Sequence, residues 1–221
     1  DNDTTQNKDS HAKILGEFAD KKAAILVGTQ MIAKGHDFPD VTLVGIVDAD
    51  MSLHFSDFRA GERTYQLITQ VAGRAGRDAK PGKVVLQTYT PNHYVYRFAS
   101  SGNYRGFYEK EVNLREVTKY PPFSKIVRIL VCGENEELCA HVLKGIFDDV
   151  SVLTKDNRGC FAYFAAMKSP VKRIQNKYRV QILMRIVSGF DNIIKDVYNI
   201  VDRHSVAKAS VFVEVNPNNL G

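Results

Sequence analysis

Between Lys125 and Pro217 the spacing of apolar residues alternates between the two-residue period of a strand and the 3.6-residue period of a helix. The order in which the two alternate limits the fold more than any other feature of the chain. KIVRILVCG reads as a strand, ENEELCAHVLKGIFDDV as a helix, CFAYFAAM as a strand, and a basic hairpin leads into the strand YRVQILMRIV. The helix FDNIIKDVYNIVDRH and the strand ASVFVEVNP complete a βαββαβ series. Such a series is the split-βαβ, ferredoxin-like plan, in which two helices cover one face of an antiparallel sheet.

The first part of the chain has a different pattern. SHAKILGEF (10–18) predicts a helix capped by Ser10, with Ile14, Leu15 and Phe18 on one face. AAILVGT (23–29) and VTLVGIVDAD (41–50) predict strands buried on both faces, which favours a parallel sheet. A helix is expected from about Arg59 to Val71, with Tyr65, Ile68 and Leu67 inward and a stop at Gly73 and Gly76, followed by a strand in GKVVLQTY (82–89). Residues 93–117 are polar and aromatic, as in a helical connector, and the prolines of YPPF (120–123) end it. The expected fold class is α/β, with a mostly parallel sheet in residues 1–91, a helical connector in 92–123, and an α+β ferredoxin-like (βαββαβ) C-terminal domain in 124–221.

Composition narrows the possible classes. Of 221 residues, 44% are apolar and 25% charged, a balance unlike that of collagen, disordered chains or disulfide scaffolds. No run approaches the ~18 apolar residues of a membrane span, and the start DNDTTQNKDS lacks the features of a signal peptide. Three cysteines without a CxxC pair suit a reducing cytoplasm and build neither a disulfide framework nor a four-ligand zinc site, so no metal site is expected. Residues 1–91 carry 11 Lys and Arg against 12 Asp and Glu, leaving 19 against 13 for the rest. An anionic partner is therefore expected for the second half, nucleic acid ahead of membrane.

Two stretches in the first part carry chemistry. GTQMIAKGHDFPD (28–40) follows a predicted strand at the end where open α/β sheets bind ligands. Thr29 and Gln30 offer short polar groups there, Gly35 permits close backbone approach, and Asp37 can accept from a sugar hydroxyl. A connecting loop turned by its Gly and Pro accounts for the same residues. QVAGRAGR (70–77) places Arg74 and Arg77 beside two glycines at a helix end, as paired guanidinium forks suited to a phosphoryl group. The plainer alternative is a basic last turn that complements the helix dipole.

Together, GTQMIAKGHDFPDVTLVGIVDAD, DFRAGERTYQLITQVAGRAGR and the later YPPFS resemble motifs V and VI and the trailing domain of the primosomal protein N′ (PriA) family of superfamily 2 DNA helicases. The resemblance runs from Asp3 to the C-terminus. It implies a partial RecA-like helicase lobe 2 followed by the ferredoxin-like domain, in a 3′ to 5′ ATP-dependent helicase that restarts stalled forks and directs primosome assembly. On this resemblance Gln70, Arg74 and Arg77 match motif VI, whose arginines reach the γ-phosphate of ATP. Gly35 and Asp37 match motif V positions near the nucleotide, and Thr29, with Gln30 beside it, the position that contacts the DNA backbone. It also implies ATP and magnesium as cofactors, zinc elsewhere in the family, and DNA, single-strand-binding protein and primosome proteins as partners, with no membrane.

The sequence contains no GxxxxGK[ST] loop, no DExH box and no cysteine-rich zinc insertion. A C-terminal fragment, inactive alone, is the expectation. The remaining feature is KSPVKRIQNKYRVQILMR (168–185), with six basic residues and no acid. Lys172, Arg173, Lys177 and Arg179 can follow phosphates and Tyr178 can stack on a base. A solvated hairpin that discourages edge pairing fits the same residues. The alternatives to an enzyme part are a non-enzymatic nucleic-acid-binding module and a protein-docking module. RGCFAYF (158–164) fits the aromatic pattern of an RRM poorly, because Cys160 stands where an aromatic belongs and the segment is on the second strand.

Overall fold

The computed structural model describes residues 8–20, 25–29, 41–73 and 82–220. The chain divides into two compact units, one of residues 1–55 and 59–107 and the other of 56–58 and 108–221.

In the first unit, strands β1 (Leu43–Ile46) and β2 (Lys83–Leu86) pair in parallel, Leu43 opposite Lys83 and Ile46 opposite Leu86. The pleat turns Val44, Ile46, Val84 and Leu86 inward and leaves Leu43 and Val85 exposed. Helix α1 spans Lys8–Asp20 and α2 spans Ala60–Ala72. Helix α2 buries Ala60, Thr64, Tyr65 and Ile68, the i, i+4, i+8 stripe that an amphipathic helix presents to a core. Helix α3 (Tyr94–Ser100) starts at His93, whose Nδ1 accepts from the Val95 N–H, and supplies buried Val95 and Tyr96. Helix α4 (Tyr104–Thr118) adds Phe107, whose ring stacks on Tyr65 at 4.1 Å. From Tyr108 onward α4 belongs to the second unit, so residues 92–123, read from sequence as a connector, serve both units.

Three local expectations differ from the structure. Residues 25–29 form no strand, and Ile25 and Val27 are 91% and 86% exposed. An apolar run records a preference for burial, whereas a strand exists only through ladder partners, and among the described residues β1 and β2 pair only with each other. The strand expected over 41–50 is cut to four residues because Asp48 turns left-handed, at φ 50°, into a short 3₁₀ turn over Ala49–Ser52. Ser10 lies inside α1 rather than at its cap, and Leu15 is the buried residue while Ile14 is exposed.

The second unit has the βαββαβ plan in full: β3 (Lys125–Gly133), α5 (Glu136–Asp156), β4 (Phe161–Ile174), β5 (Lys177–Ile186), α6 (Phe190–Arg203) and β6 (Ala209–Val215). The strand order is β4-β5-β3-β6 and every neighbouring pair is antiparallel. Val127, Ile129 and Val131 of β3 and Ile182, Met184 and Ile186 of β5 face the helices, against Val142, Ile146, Val150, Ile193 and Val197. Asn135 caps α5 by accepting the Leu138 N–H at 2.9 Å. The other sheet face is buried in part: Ile126, Arg128, Leu130 and Gln181 are buried, as is Leu220 in the C-terminal tail, while Phe212 is exposed. Arg128 Nε donates to Glu214 Oε2 across β3 and β6 at 2.5 Å. Among the described residues no helix is long and apolar enough to cross a membrane.

Candidate nucleic-acid interface

Strands β4 and β5 continue past the body of the sheet to a two-residue turn, with Ile174 paired to Lys177. Gln175 and Asn176 both have positive φ, 48° and 64°, the conformation whose twist matches a tight hairpin. A register shift between Lys168 and Arg173 loosens β4 just before the tip.

The pleat sorts the basic residues. Tyr178 has the parity of Val180 and Ile182 on the helix-covered side, and its cross-strand partner is Arg173, whose guanidinium carbon is 4.9 Å from the ring centroid. Lys172 Nζ lies 5.9 Å from the same ring and 3.0 Å from Glu136 Oε1 at the start of α5. Lys177 and Arg179 have the parity of Gln181, Leu183 and Arg185 and share the opposite face with them. The five candidate contacts thus fall into two groups: Lys172, Arg173 and Tyr178 in mutual contact, and Lys177 and Arg179 on the other side. Sequence could place all five on the hairpin but not divide them, because the division depends on where β5 begins.

On the face of Lys177 and Arg179, the second unit holds a cavity of about 230 Å³ at the β4–β5 seam. Tyr120, Tyr163, Met167, Gln181, Leu183 and Arg185 line it. The Arg185 guanidinium sits 4.4 Å from the Tyr120 centroid and 4.9 Å from that of Tyr163, and donates to the Thr118 carbonyl. Tyr120 stacks on Phe58 at 4.9 Å, and Arg115 lies 5.0 Å from the Phe58 centroid. Planar groups therefore follow one another as Arg115, Phe58, Tyr120, Arg185 and Tyr163. Sequence reasoning missed this series, because its members are spread over more than a hundred residues.

Of the residues assigned to nucleotide and DNA in the first part, Thr29 is exposed in an irregular segment and Gln70 is exposed near the end of α2. Gln30, Gly35, Asp37, Arg74 and Arg77 lie outside the described residues. Gly73, expected to turn the chain out of α2, caps it at an ordinary right-handed φ of −67°. In the same unit, Asp50 has a role that sequence did not suggest. Its carboxylate accepts from the Thr90 hydroxyl at 2.5 Å, the Tyr89 N–H at 2.7 Å, the Thr88 hydroxyl at 2.8 Å and the Tyr96 hydroxyl at 3.2 Å. The Thr90 hydrogen bond leads in holding its carboxyl down at about 2 despite burial, with the others adding to it. Burial pushes the Tyr96 hydroxyl up to about 12, so it remains a donor. Asp50 thus ties the chain just after β1 to the chain leaving β2. Among the described residues no group of three or more His, Cys, Asp and Glu side chains is placed to hold a metal.

Comparison with known proteins agrees with the two-part plan. A family model described as the helicase conserved C-terminal domain matches residues 2–79, and one described as the primosomal protein N C-terminal domain matches residues 116–218. The chain is 44% identical over 186 residues to replication restart protein PriA of Bacillus subtilis, which covers 84% of this chain and 23% of that protein. Against the Synechocystis replication restart protein PriA it is 35% identical over 216 residues, 98% of this chain and 25% of that protein. Against that of Chlamydia pneumoniae it is 46% identical over 134 residues, 61% of this chain and 18% of that protein. The chain spans about a quarter of the length of the first two relatives. With a helicase C-terminal domain match leading into a ferredoxin-like unit of the primosomal type, the chain belongs to the PriA family of replication restart proteins.

Proposed function

We propose that this chain is the C-terminal part of an ATP-dependent 3′ to 5′ DNA helicase that restarts stalled replication forks in the cytoplasm and directs primosome assembly. The observation that carries the reading is the helicase match over residues 2–79, which contains every motif V and VI residue named above. In that reading Arg74 and Arg77, with Gln70, meet the γ-phosphate of an ATP held by a different lobe, while Gly35 and Asp37 border the nucleotide. Thr29 and Gln30 hold the DNA backbone, and Lys172, Arg173, Lys177, Tyr178 and Arg179 add a second grip. The two guanidinium forks suit phosphate rather than magnesium, since they bind anionic oxygen and cannot ligate a cation. In this reading magnesium and the phosphate cradle belong mainly to the other lobe, and ATP, when bound, would supply the phosphoryl transfer that drives translocation. The chain's own arginines neutralise charge that develops on the transferring group. Single-strand-binding protein and primosome proteins are the protein partners of this reading.

The test is made in the full-length protein. Arg77→Ala leaves ATP and DNA binding within a few-fold and lowers DNA-stimulated hydrolysis by ~10³ or more, the effect of removing an arginine finger. Arg77→Lys does not rescue, since a point charge does not reproduce the planar fork. Near-normal hydrolysis by Arg77→Ala would assign the arginines to helix capping. The 221 residues alone turn over no ATP.

A further inference from the structure

The cavity beside β4 and β5 is a built site with an unmet requirement. Gln181 is 1% exposed, lines the cavity, and its Oε1 has no hydrogen-bond partner among the described residues. A buried carboxamide oxygen without a donor is a cost to the fold, so a group that brings an N–H to it gains a contact that an apolar group does not. The second element is the stacked series, which ends at Tyr163 on the cavity wall. The third is size. About 230 Å³ is many times the ~10–15 Å³ that one water needs and less than the ~300 Å³ at which clefts for drug-sized molecules begin. A small flat group fits and a whole nucleotide does not.

From these three features we infer that the cavity receives one unstacked nucleobase of a single strand, its ring against Tyr163 and an N–H of its edge donating to Gln181 Oε1. Each base has a π-face and at least one N–H on its pairing edge, so the site is tolerant of sequence. An aliphatic side chain from a protein partner would fill the volume but leave Gln181 unsatisfied. The strand's path is set by the pleat: Lys177 and Arg179 stand on the same face of β5 as Gln181, and Lys177 is four residues, about 13 Å, from it. Phosphates on these cations bring the next base to the cavity mouth. The inference rests on the hairpin's binding of single strands, and deepens it by naming where a base goes.

The experiment uses the 221-residue chain and poly-dT-type oligonucleotides of one length in which a single abasic position is moved along the strand. One position weakens binding roughly 5- to 150-fold, the range that a single stacked base commands, and the others change it little. Tyr163→Leu abolishes that positional penalty and Tyr163→Phe keeps it. In a separate arm, free adenosine, cytidine and thymidine shift the side-chain amide resonance of Gln181. This arm needs neither a variant nor the hairpin. A uniform response to abasic positions together with a stationary Gln181 resonance overturns the inference. An unchanged salt dependence on replacing Lys172, Arg173, Lys177 and Arg179 by Ala overturns the hairpin grip instead, and leaves the nucleoside arm to decide the cavity. A Gln181 resonance that moves with an apolar peptide and not with nucleosides makes the cavity a protein-docking pocket and also sinks the proposal.

Discussion

At the scale of single residues, the second unit and the first solve the burial of polar groups differently. Gln181 keeps an acceptor in reserve, whereas Asp50 is surrounded by donors: three hydroxyls and one backbone N–H. Its folded pKa, about 2, lies below the ~3.9 of an unfolded aspartate, so the unfolded chain binds the proton more tightly. The stabilisation from Asp50 is complete above about pH 5 and is lost as pH falls through 4 toward 2. Asp50→Asn removes it at every pH, because an amide nitrogen brings donors to a place already full of them. Acid unfolding followed by circular dichroism is expected to lose its steep limb between pH 4 and 2 for the signal of the first unit. A variant with an unchanged acid limb would show that the cluster does not hold the edge of β1 and β2. Asp50 is not legible from sequence, since its donors lie 38 to 46 residues downstream and its side-chain donors are threonines and a tyrosine of no distinctive spacing.

At the scale of elements, the second unit was almost fully legible, and for a physical reason. β3 to β6 carry their own partners within one hundred residues, so period and burial agree at each strand. β4 alone ran longer than its apolar stretch, through Ile174, because pairing with β5 carries it into polar sequence. In the first unit α1, α2, β1 and β2 all fall on patterns legible in the sequence, with β1 shorter than its apolar run, while the run at 25–29 forms no strand for want of a ladder partner. Two predictions belong here. On the hairpin, Lys177→Ala with Arg179→Ala is expected to flatten the log affinity against log salt by ~1.4 units on single strands, two phosphates' worth. Lys172→Ala with Arg173→Ala changes it less, because Lys172 already pairs with Glu136 and Arg173 with the Tyr178 ring. Fluorescence anisotropy across a salt series reads both slopes, and a larger change in the second pair would reverse the assignment of faces. In the helical layer, a Cβ at Gly145 of α5 would stand 2.7 Å from Cε1 and Nδ1 of His204, whose Nε2 is 3.0 Å from Asp149 Oδ2. Gly145→Ala gains ~0.8–1 kcal/mol of helix propensity and loses ~1–3 kcal/mol to overpacking, a net loss of about 1 kcal/mol. In the His204→Ala background the same change is expected to be neutral or stabilising, and urea titrations of the four proteins complete the cycle.

At the scale of the whole molecule, the two units differ in how much apolar surface they close over. The core of the second draws on every strand of its sheet and both helices, whereas that of the first gathers around Tyr65, Tyr96 and Phe107. Urea is expected to unfold the chain in two steps, the first reported by amide exchange in α2 and β2, the second by β3 and β5. A single transition with coincident probes would refute this. The pairing of Arg128 with Glu214 has a consequence for how the second unit finds its form. Because side chains alternate along a strand, a slip of β6 by one residue against β3 would swing Glu214 over to the helices and set its charge among Val127, Ile129 and Val131, while Arg128 lost its counterion. An edge strand that reads ASVFVEV offers little else to tell one alignment from the next. The ion pair thus acts as a key that favours one register of β6 over its neighbours.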